Sequence, residues 1–467
     1  MKVTRRDALK ASGLVVGGLA LGDKLALADH SSNLDVCPTS CNTLFDSLKP
    51  CYPQQETLDK DEMRITFLGS WYCPRLAQEC NSVFVELGNG DSFVFDCGSG
   101  VMGKYNALGV PLSRMDKIFL THIHADHMSD LTHIYCFGPA YDRKSPLYVW
   151  GPTTSGVLNP VPPPKYYDDG TIAYCRRLRE AVRWHTESFS FQSTAWKNYA
   201  YPQWKVPTPS GLPPQDKKDA YDLVPFECDW TKEGFLAYQF NNVTITSFPA
   251  VHAREGAISY KLQWKTKDAK GKDVTLSMIF TGDTKPNNYV IRQATDGVDV
   301  LIHEITTSAE IWTQYFTGIS PTDEPAYSNA VAALQRVQDS SHTPEKAFGY
   351  ILGQLQLLKV APRLAVGTHF PATDNTIREA FSQIRLDYPK GEVTIASDFM
   401  VINVTKQRIR QRRAVVSDYS WATLSPAVVY ADPSEFEEAK YHDTNGVGDP
   451  YAQLDPNADV IPKSDYE

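Results

Sequence analysis

The run Thr121-His122-Ile123-His124-Ala125-Asp126-His127 follows directly on the apolar stretch Ile118-Phe119-Leu120. Three imidazoles and a carboxylate in so short a run are costly to fold together unless something cationic uses them. At the end of a strand, residues two apart point the same way, so His122 and His124 can grip one ion. A chain that then turns into a helix offers Asp126 and His127 to a second. Any fold for this chain must accommodate that strand-to-helix turn.

Short apolar segments stopped by Gly, Asn, Asp or Pro read as strands at residues 63–68, 82–87, 92–97, 117–121 and 147–150. From Gly151 to about Phe240 the chain turns to Pro, Tyr, Trp and Lys/Asp without sustained periodicity, which reads as an inserted loop or cap. Strands resume at 242–248, 257–265, 275–281 and 298–305. A helix is expected over 343–358, with Thr343 as N-cap and Pro344 at its first position, and another over 376–386. Between them 363–368 reads as a strand, and 392–404 as one further strand. Two sheets flanked by helices result, an α/β class.

The H-x-H-x-D-H pattern at this turn resembles the metallo-β-lactamase superfamily. The resemblance implies the αββα four-layer sandwich of that fold, over residues 63–404 with the long insertion at 151–240. It also implies a dinuclear site. His122, His124 and His252 would hold one ion, Asp126, His127 and His369 the other, and Asp283 in Thr281-Gly282-Asp283-Thr284 would bridge them. Within the superfamily the chain is most similar to ribonuclease Z and its relatives. That similarity includes Phe67-Leu68-Gly69, Phe95-Asp96-Cys97-Gly98, Ile302-His303-Glu304-Ile305-Thr306 and Ser341-His342-Thr343. It implies a hydrolase in which a metal-activated hydroxide attacks an ester while His342, paired with Glu304, protonates the leaving group. The catalytic set is then Asp126, Glu304 and His342. Two divalent ions are implied; His and Asp donors favour Zn2+, and Mn2+ or Fe fit the same donors.

The chain departs from ribonuclease Z in one respect. Only a short hairpin-like stretch separates Tyr260 from Gly282, where that family carries a basic tRNA-gripping arm. The chain has 46 Lys and Arg against 55 Asp and Glu, a net −9. An acidic protein without the arm argues against nucleic acid as the partner and for a small ester, with a phosphodiester first. Arylsulfatase or lactonase activity is the alternative on the same site, and an iron-dependent oxidoreductase of the same fold is the alternative from another class. If the insertion lies over the cleft, Trp184, Trp196, Trp204 and Trp230 are its aromatic content. The same rings could instead pack against the core or a second copy of the chain.

The N-terminus carries Arg5-Arg6, an uncharged stretch from Ala11 to Gly22 and Ala26-Leu27-Ala28. This resembles a twin-arginine export signal over residues 1–28, with Ala8 where such motifs usually have Phe. The expectation is a periplasmic or secreted protein that meets the twin-arginine export machinery and has no stable membrane insertion. The same signal and core resemble a group of exported hydrolases named for guanitoxin biosynthesis. Residues 29–62 form a Cys-containing extension with Cys37, Cys41 and Cys51, and disulfides are allowed in an oxidising compartment. With nine Cys, at least one thiol stays unpaired, and Cys97 at the end of an apolar strand is the candidate. Residues 405–467 read as a basic edge strand followed by an acidic tail.

Overall fold

The computed structural model describes residues 56–143, 145–189 and 220–416. The export segment, Cys37, Cys41, Cys51, Trp196, Trp204 and the tail from 417 lie outside the described residues. In chain order, β1 (Met63–Gly69), β2 (Ser82–Leu87) and β3 (Ser92–Phe95) lead through α1 (Val101–Ala107) to β4 (Lys117–Phe119), α2 (Ala125–Met128), α3 (Leu131–Tyr141) and β5 (Leu147–Pro152). A small hairpin of β6 (Leu158–Asn159) and β7 (Lys165–Tyr166) precedes α4 (Thr171–Ala181), α5 (Arg183–Phe189) and β8 (Leu223–Cys228). Next come β9 (Phe235–Phe240), β10 (Val243–Pro249), β11 (Ile258–Lys267), β12 (Asp273–Phe280), α6 (Asn288–Gln293) and β13 (Val300–Glu304). The remaining elements are α7 (Ala309–Thr317), α8 (Ala326–Ser341), α9 (Glu345–Leu357), β14 (Leu364–Thr368), α10 (Asp374–Asp387), β15 (Val393–Ile395), β16 (Met400–Val404) and β17 (Ile409–Arg413).

Two large sheets organise these strands. One runs β17-β16-β1-β2-β3-β4-β5-β8 and the other β15-β14-β13-β12-β11-β10-β9. Pairing is parallel from β3 through β4 and β5 to β8, and again from β12 through β13 and β14 to β15. The near-continuous apolar character of these strands follows from burial on both faces. Along β5, Tyr148 and Trp150 enter the core between the sheets, while Leu147 and Val149 enter a second core with Tyr105 of α1 and Ile134 of α3. Along β13, Val300 and Ile302 face between the sheets, and Leu301 packs with Phe348 of α9 and Ile384 of α10. Helix, sheet, sheet and helix stack in that order, the αββα sandwich of the metallo-β-lactamase fold. Phe119 and Trp150 stack with centroids 4.6 Å apart in the central layer. Burying side chains of this size stabilises by roughly 1.5–3 kcal/mol each.

Several local expectations change. The stretch 151–240 is not free of sheet structure, because β8 closes one sheet and β9 edges the other. The expected strand over 392–404 divides into β15 and β16, one in each sheet. Between them buried Asp398 accepts from Ser70 Oγ at 2.8 Å and Glu79 N at 2.7 Å, and Phe399 has φ 67°. That anchored turn carries the chain from one sheet to the other. Thr343 does not cap α9: its Oγ1 donates to Thr284 O at 2.6 Å, and Pro344 takes the capping position. The six cysteines among the described residues are free thiols, and Cys97 is fully buried. The basic strand β17 is an edge, as its alternating arginines suggest. Among the described residues no helix is long and apolar enough to cross a membrane.

Candidate metal centre

The candidate residues follow the ends of different strands on one rim of the sandwich. Asp96 follows β3, His122 to His127 follow β4, His252 follows β10, Asp283 follows β12, Glu304 ends β13 and His369 follows β14. Loops at the carboxyl ends of parallel strands are where α/β folds place their sites. His124 is the N-cap of α2, so Asp126 lies in the first turn and His127 in the last. Gly282 has φ 57°, and a Cβ there would meet Thr121 Cβ at 2.5 Å, so only glycine lets the Asp283 loop approach the β4 loop.

Two donor groups result. His122, His124 and His252 form one; Asp126, His127, Asp283 and His369 form the other, with the donor atoms of each group within 4.8 Å of one another. Asp283 Oδ1 lies 3.2 Å from His127 Nε2 and 3.3 Å from His369 Nε2. Its Oδ2 lies 3.7 Å from His252 Nε2 and 4.0 Å from His122 Nε2. Asp126 Oδ2 is 3.2 Å from both His127 Nε2 and His369 Nε2. Two donors about 2.1 Å from a tetrahedral ion lie roughly 3.4 Å apart, so these separations are those of ligands around a cation.

The hydrogen bonds decide which nitrogens are free to do so. Thr121 Oγ1 gives its only proton to Asp96 Oδ2 at 2.8 Å, so it accepts from His122 Nδ1 at 3.1 Å and leaves His122 Nε2 as a lone pair. His127 Nδ1 donates to Asp96 Oδ2 at 2.7 Å, and His252 Nδ1 to the Ser341 carbonyl at 2.9 Å. His122 Nε2, His127 Nε2 and Asp283 Oδ1 are buried without a hydrogen-bond partner. His252 Nε2 stands 3.2 Å from His124 Nδ1. Lone pairs converging on carboxylates call for positive charge between them, which metal ions at the two donor groups would supply. The residues present therefore fit a pair of divalent cations.

The electrostatics agree. Burial, reinforced by the neighbouring His127, holds His122 well below the usual imidazole range, and burial brings His252 down to about 4. Burial alone would raise Asp283, but His127 and His369 beside it hold its carboxyl well below the usual range. Burial opposes a charged His127, yet Asp283, Asp126 and Asp96 raise it strongly; a cation at Nε2 meets the same demand.

Beside the donor groups stands a second unit. His342 Nδ1 donates to Glu304 Oε2 at 2.9 Å, and Glu304 Oε1 accepts from Thr284 N. Glu304 is 1% exposed, which fixes it as a holder of His342 rather than a group that meets solvent. Burial works against a charged His342, but Glu304 outweighs it and lifts the ring to about 9. The structure thus brings together all nine residues expected from the sequence. It adds Asp96, which aligns His127 and Thr121; its signals in the sequence were its place after an apolar strand and the similarity of Phe95-Asp96-Cys97-Gly98 to ribonuclease Z, neither of which gave it a role. His133 stays outside, stacked on Phe137 at 4.5 Å, and His303 is buried with Nδ1 donating to Glu304 O at 2.6 Å.

A cleft of about 650 Å³ opens over the donor groups, lined by Tyr72, Pro74, Trp312 and Val337 besides the ligands. A smaller hollow of about 210 Å³ on the other side of His124 and His252 is lined by Ser155, Asp169 and Arg254 among others. The insertion thus reaches the site through Ser155 and Asp169, whereas its described tryptophans do not. Trp184 is 81% exposed, and Trp230 packs on the central core with Nε1 donating to Thr154 O at 3.0 Å.

Residues 76–135 match the model of the metallo-beta-lactamase superfamily. Ribonuclease Z of Thermococcus kodakarensis is 26% identical over 230 residues, 46% of this chain and 64% of its own length. Ribonuclease BN of Cronobacter sakazakii is 26% identical over 253 residues, 53% of this chain and 78% of its own length. The chain thus spans less than two thirds of the first relative. Among solved structures, the short form of human tRNase Z superposes with a TM-score of 0.42 at 18% identity, covering 73% of this chain and 98% of that one. Residues 76–135 are thus similar to the metallo-β-lactamase superfamily, and the chain around them is similar to ribonucleases Z and BN.

Proposed function

We propose that the protein is a dinuclear metal-dependent hydrolase acting on a small anionic ester, a phosphodiester first. The observation that carries this is Asp283 presenting one oxygen to each donor group with the Glu304–His342 pair alongside. His122, His124 and His252 would hold one cation and Asp126, His127 and His369 the other, with Asp283 placed to serve both. When bound, two divalent ions lower the pKa of water for attack and draw charge from the ester oxygens. Zinc suits this donor set, as do manganese and iron. The chain's own part is positional: Asp96 and Thr121 orient imidazoles, and His342, held by Glu304, gives a proton to the departing oxygen. Only Asp126 and Asp283 among the donors are negative, so the loaded site favours an anionic ester over a neutral lactone.

The curated relatives are named as ribonucleases, which favours phosphodiester chemistry and brings nucleic acid in as a second reading. Against a polymer stands the main cleft, whose lining among the described residues contains no Lys or Arg. The test is turnover of an aryl phosphodiester, an aryl sulfate, a lactone, a β-lactam and a precursor tRNA by the purified protein, with its metal content measured. We expect about two metal ions per chain and the phosphodiester cleaved best. Asp126→Ala should abolish turnover and lower bound metal towards one ion or none. Full activity in that variant would end the dinuclear reading, and efficient tRNA cleavage without turnover of small esters would end the small-ester reading.

A further inference from the structure

The main cleft is asymmetric. Its floor is the donor set, but its wall towards α7 is built of rings. Tyr72, from the loop between β1 and β2, meets Trp312 of α7 edge to face with centroids 5.7 Å apart. Phe316, one turn further along α7, continues the cluster at 5.8 Å from Trp312 and 6.1 Å from Tyr72. Trp312 is 7% exposed and so held in place, and Tyr72 leans on His369 at 5.5 Å, so the rings begin where the donors end. Val337 of α8 faces the same space with 47% of its surface open, one turn before Ser341, and both line the cleft. His342 lines the same cleft, its ring 5.6 Å from His369 and 5.3 Å from His252. The space bounded in this way, about 650 Å³, is of small-molecule size.

We propose that Tyr72, Trp312 and Val337 form the subsite for the leaving group, and that this group is a planar aromatic alcohol, so that the substrate is an aryl ester. This rests on the hydrolase reading above. The wall and the proton donor line one cleft and both reach His369, through Tyr72 and His342, so in this proposal the group that stacks is the group that His342 protonates. Hydrolysis adds water across the ester bond. The water oxygen bonds to phosphorus, and the bond to the aryl oxygen breaks with its electron pair on that oxygen. One proton passes from His342 to the phenolate. Of the two water protons, one remains on the phosphate product and the other restores His342. Aromatic pairing adds to the burial of the ring, and together they make a discrimination of about tenfold or more.

The test uses the metal-replete full chain and two inert probes, benzylphosphonate, with CH2 in place of the ester oxygen of phenyl phosphate, and ethylphosphonate. Calorimetry should show benzylphosphonate bound about tenfold or more tighter. Trp312→Leu should cut that preference to about threefold or less, with ethylphosphonate affinity and metal content unchanged. Because Trp312 is largely buried, the exposed-site variant Val337→Ser serves as the second arm and should also lower the preference. Equal binding of the two probes by the wild type, or an undiminished preference in both variants, overturns the subsite. A ring preference that falls in the variants, with no ester turned over by the wild type, would sink the hydrolase reading and keep the subsite. Phosphodiester turnover without any ring preference would do the reverse.

Discussion

At the scale of single residues, the centre depends on side chains that lie outside the donor groups. Asp96 accepts from Thr121 N and Thr121 Oγ1, each at 2.8 Å, and from His127 Nδ1 at 2.7 Å, so one carboxylate sets the tautomers of two imidazoles. The donors themselves were legible because imidazoles and carboxylates crowded at a strand end serve little purpose besides holding a cation. Asp96 was not, since an aspartate after a strand is also an ordinary turn residue. Gly282 is the matching case for backbone. An alanine there would take a left-handed φ of 57° and place Cβ 2.5 Å from Thr121 Oγ1. The conformation costs about 1–2 kcal/mol, and the overlap forces Thr121 off Asp96 as well. Gly282→Ala should therefore lower the thermal midpoint and strip metal together. Metal analysis beside a melting curve checks this, and normal metal content would show that the close approach is dispensable.

At the scale of elements, strands were read well where both faces are buried and helix starts less well, because a cap depends on what its side chain finds in space. Thr343 looks like an N-cap in sequence, yet it bonds Thr284 from a distant loop. The next residue pair leaves Glu345 at the head of α9, 4% exposed with Oε1 unpartnered. Burial, with Glu379 adding to it against the hydrogen bonds of its own backbone and Thr307, pushes its pKa up to about 8 from 4.5. A folded pKa above the unfolded one means stability that is fully present below about pH 4.5 and lost as pH rises through 8. Glu345→Gln should match the wild type near pH 5 and exceed it near pH 8.5 by on the order of a few kcal/mol. Thermal or urea unfolding at the two pH values measures this; an equal difference at both would show that Glu345 is ionised in the folded chain without penalty.

At the scale of the whole molecule, location is the prediction that sequence alone carries. Replacing Arg5 and Arg6 by Lys should leave the precursor in the cytoplasm, and fractionation with N-terminal sequencing of the exported form near Asp29 is the measurement. Unchanged export would remove the signal from the account. What the sequence determined by itself is local chemistry: which residues can bind a cation, where apolar runs must be buried on two faces, and that helices follow near 343–358 and 376–386, while helices such as α3, α7 and α8 were not read. Those properties depend on residue type and near neighbours, so they survive without coordinates. Tertiary structure alone decided which distant loops meet. It brought the loops after six strands to one rim, and it divided the strand expected over 392–404 between the two sheets through the turn at Asp398. It also raised the cleft wall from the 70–81 loop, α7 and α8 rather than from the tryptophans of the insertion. Such meetings depend on sheet order and on the packing of residues hundreds of positions apart, and no periodicity along the chain encodes them.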